Sequence, residues 1–549
     1  MAPRQDVTLG RWSAFRTVNG PAAGASKPRE LPPFRVRRRR PRHSRKLFFV
    51  VPLLLALVAV ASAFLLRGPQ EEEAGSLSRI DRPMTGESKR NWDEGRPASR
   101  VRAASAAPAS CDYYASPTGT GDGRSASSPF KVSSFWPAAS PGKTLCLLDG
   151  AYSGDANMIL PPQGLNGASG APITIRAAND GKVLITGQGS RQPVRLTYND
   201  WFVIEGINAC CSSDTVVELS HSNRNVVRRV AAWDAADGNS NVFGVHGSLY
   251  NLLEDVAGWG TARKTFSGSQ GGDFLTVRRA WGRWERSTVI GPKLTYSLAY
   301  NNYHVIFENC LGTWSGQGMP ESYVLMDYDG NPWTGTGAGT YTQYRVNQPL
   351  GIFAVDREDA DKNADIRLLG SLAYIQSTDN YAASQAVFVT KLDSVEIKDT
   401  AVYIAPGTNP SVLPFGLYGL SGATAEHLTA ENLTAFGGAA SVFESSWLLG
   451  NVWAARSPMS GYAPGENILS TVRGANLYFR YQDGNLTDQP LWPWPMNQRI
   501  IDGLVQSGRD PVDITATVVK LLFRPAPRAP VVPATPRPST REVPTRPDR

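Results

Sequence analysis

From Trp201 to about Gly438 the chain alternates short apolar runs with polar breaks, and the alternation recurs. Compare NDWFVIEGINA from Asn199, RNVVRRVAAWD from Arg224, YNLLEDVAGWG from Tyr250 and DFLTVRRAWGRW from Asp273. YHVIFENCLGTW from Tyr303, ADIRLLGSLAYI from Ala364, DSVEIKDTAVYI from Asp393 and EHLTAENLTAFG from Glu426 continue the series. Each opens on a polar or aromatic residue, then has an apolar run, two mostly polar residues, and apolar residues again. Ile207, Val230, Val256, Ala280, Cys310, Ser371, Thr400 and Leu433 occupy matching places, roughly 23 to 33 residues apart, with one double step between Cys310 and Ser371. A fixed period in that range signals stacked repeats. The Gly, Asn and Asp breaks, without helical periodicity, make the runs strands.

A coil of short parallel strands, one turn per repeat, satisfies this pattern. The expected fold is all-β, a single-stranded right-handed parallel β-helix. The charges set the register. The first polar position runs Glu205, Arg228, Glu254, Arg278, Glu308, and the next runs Gly206, Arg229, Asp255, Arg279, Asn309. Matching residues of stacked strands lie about 4.8 Å apart. Alternating charges attract at that spacing and like charges repel.

Outside the repeats the composition changes. Residues 1–46 are polar and Pro- and Arg-rich, and disorder is expected there. Residues 47–66 (LFFVVPLLLALVAVASAFLL) carry no charge and have the length of a bilayer span. The basic block Arg35 to Lys46 precedes this stretch and Glu71, Glu72 and Glu73 follow it. The positive-inside rule therefore puts the N-terminus in the cytoplasm and the rest outside, as a single-pass cell-membrane protein. The rival is a cleavable signal peptide, given Ala61-Ser62-Ala63. Both export the same domain. Residues 67–110 read as a flexible stalk and 111–505 as the β-helix. Residues 506–549 read as a C-terminal cap and a Pro/Arg-rich tail, with a short amphipathic helix and a strand expected between Ile500 and Phe523. The net charge of +8 is concentrated in the N-terminal block, so it reports topology and no nucleic-acid partner is expected.

The folded region opens with CDYYASPTGTGDGRSASSPF, PGKTLCLLDGAYSG and APITIRAANDGKVLITG, three apolar runs joined by Gly-rich turns. With the repeats, this opening resembles the pectate-lyase-like right-handed β-helix proteins over roughly Cys111 to Ile501. That superfamily includes polysaccharide lyases, glycoside hydrolases and epimerases. The resemblance implies an acidic, uronate-containing polysaccharide as substrate or ligand. A lyase of this kind neutralises the sugar carboxylate with Ca²⁺ or Arg, removes the C5 proton with a base such as Lys or Arg, and stabilises the leaving oxygen.

The densest polar cluster supplies candidates for those roles. Lys264, Arg263 and Arg283 are the catalytic candidates, with Trp259, Trp284, Arg286 and Trp314 for substrate contact. Glu254, Asp255, Asp327 and Asp329 are the candidate Ca²⁺ ligands. Each has a structural alternative. Glu254, Asp255, Arg278 and Arg279 already serve the charge ladder. The series Trp233, Trp259, Trp284, Trp314 is either an internal ladder or a sugar-stacking platform. The segment Gly312 to Gly351, rich in Gly, Tyr and Trp, is expected to project as loops. A second acidic run, Asp356 to Asp361, is a further Ca²⁺ candidate, and Asp327 with Asp356 could form a hydrolase carboxylate pair. A non-catalytic glycan- or protein-binding β-helix is the remaining alternative.

Five cysteines occur without a CxxC pair, which argues against zinc. Cys111 and Cys146 fit neighbouring strands and a disulfide, and Cys310 falls on a buried apolar column. No GxSxG, HExxH, P-loop or dinucleotide fingerprint stands in a supporting context.

Overall fold

The computed structural model describes residues 110–289, 293–314, 327, 331–332, 351–356, 365–376, 385–390, 394–404, 413–418, 427–431, 433–436, 443–445 and 477–522. The expected anchor at 47–66, the segments before 110 and the tail beyond 522 lie outside the described residues, as do Asp329 and most of 315–350.

Three parallel sheets form the wall of a solenoid. From Ile173 onward each coil contributes one strand to sheet A, then one to sheet B, then one to sheet C, before returning to sheet A one rung further on. Among the described residues, sheet A holds 11 strands, sheet B 10 and sheet C 9, running from Tyr113 to Ser445. This is a parallel β-helix, and right-handed crossover between parallel strands is the sterically favoured hand. The register agrees with the charges. Glu205, Arg228, Glu254, Arg278 and Glu308 are successive Cα partners on sheet A. The wide step from Cys310 to Ser371 is one coil, since strand Leu311–Trp314 pairs directly with Leu372–Ile375. The extra length is inserted between sheets B and C of that coil.

One residue per coil turns the corner from sheet A to sheet B. Gly206, Arg229, Asp255, Arg279, Asn309, Gly370 and Asp399 all take positive φ, from 48° to 78°. This is the second charge column of the sequence, so the residues that bear the left-handed backbone also pair along the axis. Arg279 Nε donates to Asp255 Oδ1 at 2.6 Å.

Inside, sheets A, B and C close on one apolar core. Phe243, Phe266, Tyr296 and Phe353 stack one per coil, with ring centroids 4.9, 4.8 and 4.7 Å apart and planes within 9°. The stack has room because the facing rungs of sheet B are glycines. A β-carbon at Gly282 would stand 2.6 Å from Thr295 Cγ2 and 3.1 Å from Phe266.

The C-terminal segment straps the outside of sheets A and B. An antiparallel hairpin, Phe479–Gln482 with Asn485–Pro490, lies on sheet A. Its Asp483 accepts from Arg278 at 2.6 Å, and Tyr481 N–H donates to Asn309 Oδ1 at 2.6 Å. Helix α1, Asn497–Gln506, sets Ile500 and Leu504 against the indoles on sheet B, and Gly503 lies directly over the Trp259 ring. Helix α2, Ile514–Leu522, stands where a strand was expected. Despite its β-branched residues it is capped by Asp513, whose Oδ1 accepts from Ala516 N–H at 2.7 Å, and it buries Ile514 and Val518 one turn apart.

Candidate functional site

The straps lie against sheets A and B, and a second group of polar residues lies on sheet C and its corner with sheet B. That corner also carries the insertion after Trp314. Three backbone hydrogen bonds assemble a cationic group there from successive coils. Arg263 N–H donates to Ser240 O at 2.9 Å, Leu294 N–H to Arg263 O at 3.3 Å, and Ala262 N–H to Arg286 O at 3.0 Å. These bonds bring the backbones of Arg263, Lys264, Arg286 and Lys293 together at three strand ends, with the Arg263 charge felt by Lys293. Lys264 is 7% exposed and Lys293 is 1% exposed. Burial, reinforced by the positive charge of Arg263 and opposed by Asp237, pulls the Lys293 amine down to about 7. Asp237 is fixed beside the group by Thr288 N–H at 2.6 Å and Ser287 Oγ at 3.2 Å. Arg263 Nη1 donates to Asn239 Oδ1 at 2.5 Å and Arg286 Nε to Thr261 Oγ1 at 2.9 Å.

Sheet C continues this corner as a polar outer face. Glu218, His246, Ser267, Ser269 and Ser297 lie along it, with the serines buried. Burial raises the Glu218 carboxyl, and the nearby Asp214 adds to the effect. A 2.6 Å hydrogen bond from Gln192 Nε2 opposes it. Burial, with a smaller contribution from the Lys264 charge, lowers the His246 imidazole to about 4. Perturbed titratable groups gathered on one face mark a candidate site.

The other sequence candidates go elsewhere. Arg283 lies on sheet B beneath α2, near Ile514 and Val518. It donates to Glu285 Oε1 from Nε at 2.9 Å and from Nη2 at 2.6 Å. Arg509 Nε binds the other Glu285 oxygen at 2.7 Å, so Arg283 belongs to the strap's anchorage. Trp259 stacks on Trp233 with centroids 5.0 Å apart, and its indole N–H donates to Ser507 Oγ. Trp284 is not the next rung of that series. Trp259 pairs with Arg283, so Trp284 stands one place further along, beside Gly260, and it turns inward with Trp314. Trp259 is covered by α1, and Trp284 and Trp314 point into the apolar core, so none presents a face on which a sugar ring could stack.

The proposed Ca²⁺ ligands are also engaged. Glu254 meets Arg279 at 2.8 Å, Arg228 at 2.7 Å and Arg278 at 3.6 Å, and Asp255 meets Arg279 at 2.6 Å. Burial works against ionisation of Glu254, but the three arginines together hold its carboxyl below the ordinary value. A carboxylate whose lone pairs are filled by guanidinium groups is a poor cation ligand. Asp327 closes a short turn onto Asn331, accepting its N–H at 2.8 Å. Among the described residues no group of three or more His, Cys, Asp or Glu side chains is gathered as a metal site.

Cys111 and Cys146 form a disulfide, as expected for neighbouring strands. A second disulfide joins the adjacent Cys210 and Cys211. Cys310 is a buried thiol, pushed up by burial. His246, Lys293, Glu218 and Ser269 were missed from sequence because they lie on the third strand of each coil or the loop before it, outside the aligned segments.

No protein-family model matches the sequence, and no curated protein matches it. Solved structures similar in overall course include the pectate lyase Pel9A, at 14% identity and TM-score 0.44 over 71% of this chain and 90% of that one. A rhamnogalacturonan lyase matches at 12% identity and TM-score 0.40 over 72% and 99%. An alginate lyase from Paenibacillus sp. matches at 15% and 0.37 over 59% and 94%. No residue role and no activity is carried over from them.

Proposed function

We propose that this β-helix is displayed outside the cytoplasmic membrane on the anchor at 47–66 and cleaves an acidic, uronate-containing polysaccharide by β-elimination at the cationic corner of sheets B and C. The observation that carries the reading is the setting of Lys293. Its buried amine is pulled to about 7 beside the guanidinium of Arg263, so at neutral pH a large fraction is an uncharged base held among cations. Arg263, Lys264 and Arg286 neutralise the uronate carboxylate and acidify its C5 proton. Lys293 takes that proton, the C4–O bond breaks as a C4=C5 double bond forms, and the protonated amine returns the proton to the leaving oxygen. Charge neutralisation is assigned to side chains rather than Ca²⁺, because Glu254 and Asp255 are filled by arginines. The two disulfides support export, since such bonds persist in oxidising compartments.

The test is to incubate the full chain with a panel of uronate polysaccharides and follow ultraviolet absorbance of the unsaturated product. A rise that Lys264→Ala reduces at least tenfold, with thermal unfolding unchanged, supports the reading. Binding of a panel member without any rise replaces it with a non-catalytic glycan-binding role.

A further inference from the structure

At the opposite end of sheet C, away from the cationic corner, a serine and a histidine are in direct contact. His246 closes the strand Asn241–His246 and Ser269 closes the strand Lys264–Ser269. The two are Cα partners, and Ser269 Oγ lies 2.6 Å from His246 Nδ1. Gly244 makes this geometry possible. A β-carbon there would stand 2.6 Å from His246 Nε2, so the missing side chain lets the imidazole fold back along the sheet. Gly244 is the Cα partner of Glu218 on the preceding coil and of Ser267 on the next. The Glu218 carboxyl itself is engaged by Gln192 Nε2 at 2.6 Å, and Ser267 lies on the other side of Gly244. The imidazole is uncharged at neutral pH, held there first by burial. With Ser269 O–H donating to Nδ1, the ring proton sits on Nε2.

We propose that Ser269 is a nucleophile that hydrolyses short-chain acyl esters, activated by His246. Ser269 Oγ transfers its proton to His246 Nδ1 as it bonds to the ester carbonyl carbon. Ser267 offers its hydroxyl to the oxyanion. Collapse breaks the ester C–O bond, the alcohol leaves with the proton from His246, and an acyl-Ser269 remains. Water, deprotonated by His246, then adds to the acyl carbon, and Ser269 leaves with that proton to release the carboxylic acid. This site does not depend on the elimination reading. Five residues of extended strand, about 16 Å of rise, separate Lys264 from Ser269 along the backbone, and the Lys264 charge helps keep the His246 imidazole neutral.

The test uses the full chain, with 4-nitrophenyl acetate as substrate and a fluorophosphonate as covalent probe, located by peptide mass spectrometry. The expected results are fluorophosphonate on Ser269 and hydrolysis reduced at least about 100-fold in Ser269→Ala, with the thermal transition retained. Ser269→Cys guards against misfolding as the cause, because its thiol should then be alkylated by iodoacetamide at the same position. Gly244→Ala, which leaves both reacting side chains present, should slow labelling by displacing the ring. Labelling at another serine, hydrolysis unchanged in Ser269→Ala, or neither labelling nor hydrolysis by the unaltered protein would overturn the proposal.

Discussion

Arg228 Nε donates to Glu254 Oε2 at 2.7 Å across one strand spacing, from residues 26 apart in the chain. On the next coil Arg278 stands 3.6 Å from the same carboxylate and 3.0 Å from Glu308, and the strap adds Asp483 at 2.6 Å. Arg278→Met would leave Glu308 buried without its ladder cation and remove the hairpin's main ionic contact. The expected cost is about 3–5 kcal/mol, read from urea unfolding, because a buried charge stripped of its partner is expensive.

The same ladder sets acid stability. The Glu254 carboxyl is lower in the folded chain than its unfolded value of 4.5. The unfolded chain therefore binds the proton first as pH falls. The stabilisation is fully present above about 4.5 and is lost as pH drops through the lower folded value. Thermal midpoints measured from pH 6 to pH 3 should fall, and Glu254→Gln should flatten the part of that slope due to this group.

Gly282→Ala tests the inner aromatic stack. The new methyl would meet Thr295 Cγ2 at 2.6 Å and Phe266 at 3.1 Å. Overpacking of this kind costs about 1–3 kcal/mol, measurable by chemical denaturation.

Trp259→Ala separates the two roles once open to that residue. Its ring is covered by α1 and stacked on Trp233. A loss of about 3–5 kcal/mol, with earlier protease cleavage between 496 and 510, is expected if it is a seat for the strap. Weaker glycan binding with unchanged stability would instead restore it as a sugar contact.

The solenoid was legible because a stacked architecture writes its register into one column at a time. Glu205 to Glu308 alternate in charge only if their strands are adjacent, and the positions from Ile207 to Leu433 are buried together. Three things were not legible. Trp284 stands one place past the Trp259 column, beside Gly260, and whether that corner position faces in or out is set by the local backbone and not by the hydrophobic pattern. The strap joins Arg509 to Asp234, residues 275 apart, so nothing local announces that sheet B is covered. The site was only half seen. Arg263, Lys264 and Arg283 stood out as charges outside the ladder, and of these Arg283 belongs to the strap's anchorage. Lys293 sits alone after Gly291-Pro292, and its proximity to Arg263 exists only once Leu294 hydrogen-bonds to the preceding coil.

The most direct measurement is the pH profile of unsaturated-product formation by the full chain and by Lys293→Arg, which keeps the positive charge but cannot lose its proton near neutrality. The Lys293 amine titrates at about 7. The unaltered chain should therefore show a rate that rises with pH and levels off above about 7, while Lys293→Arg falls at least about 100-fold with the same thermal midpoint. An unchanged rate and profile in Lys293→Arg would contradict the assignment of the base and of the corner as the site of cleavage.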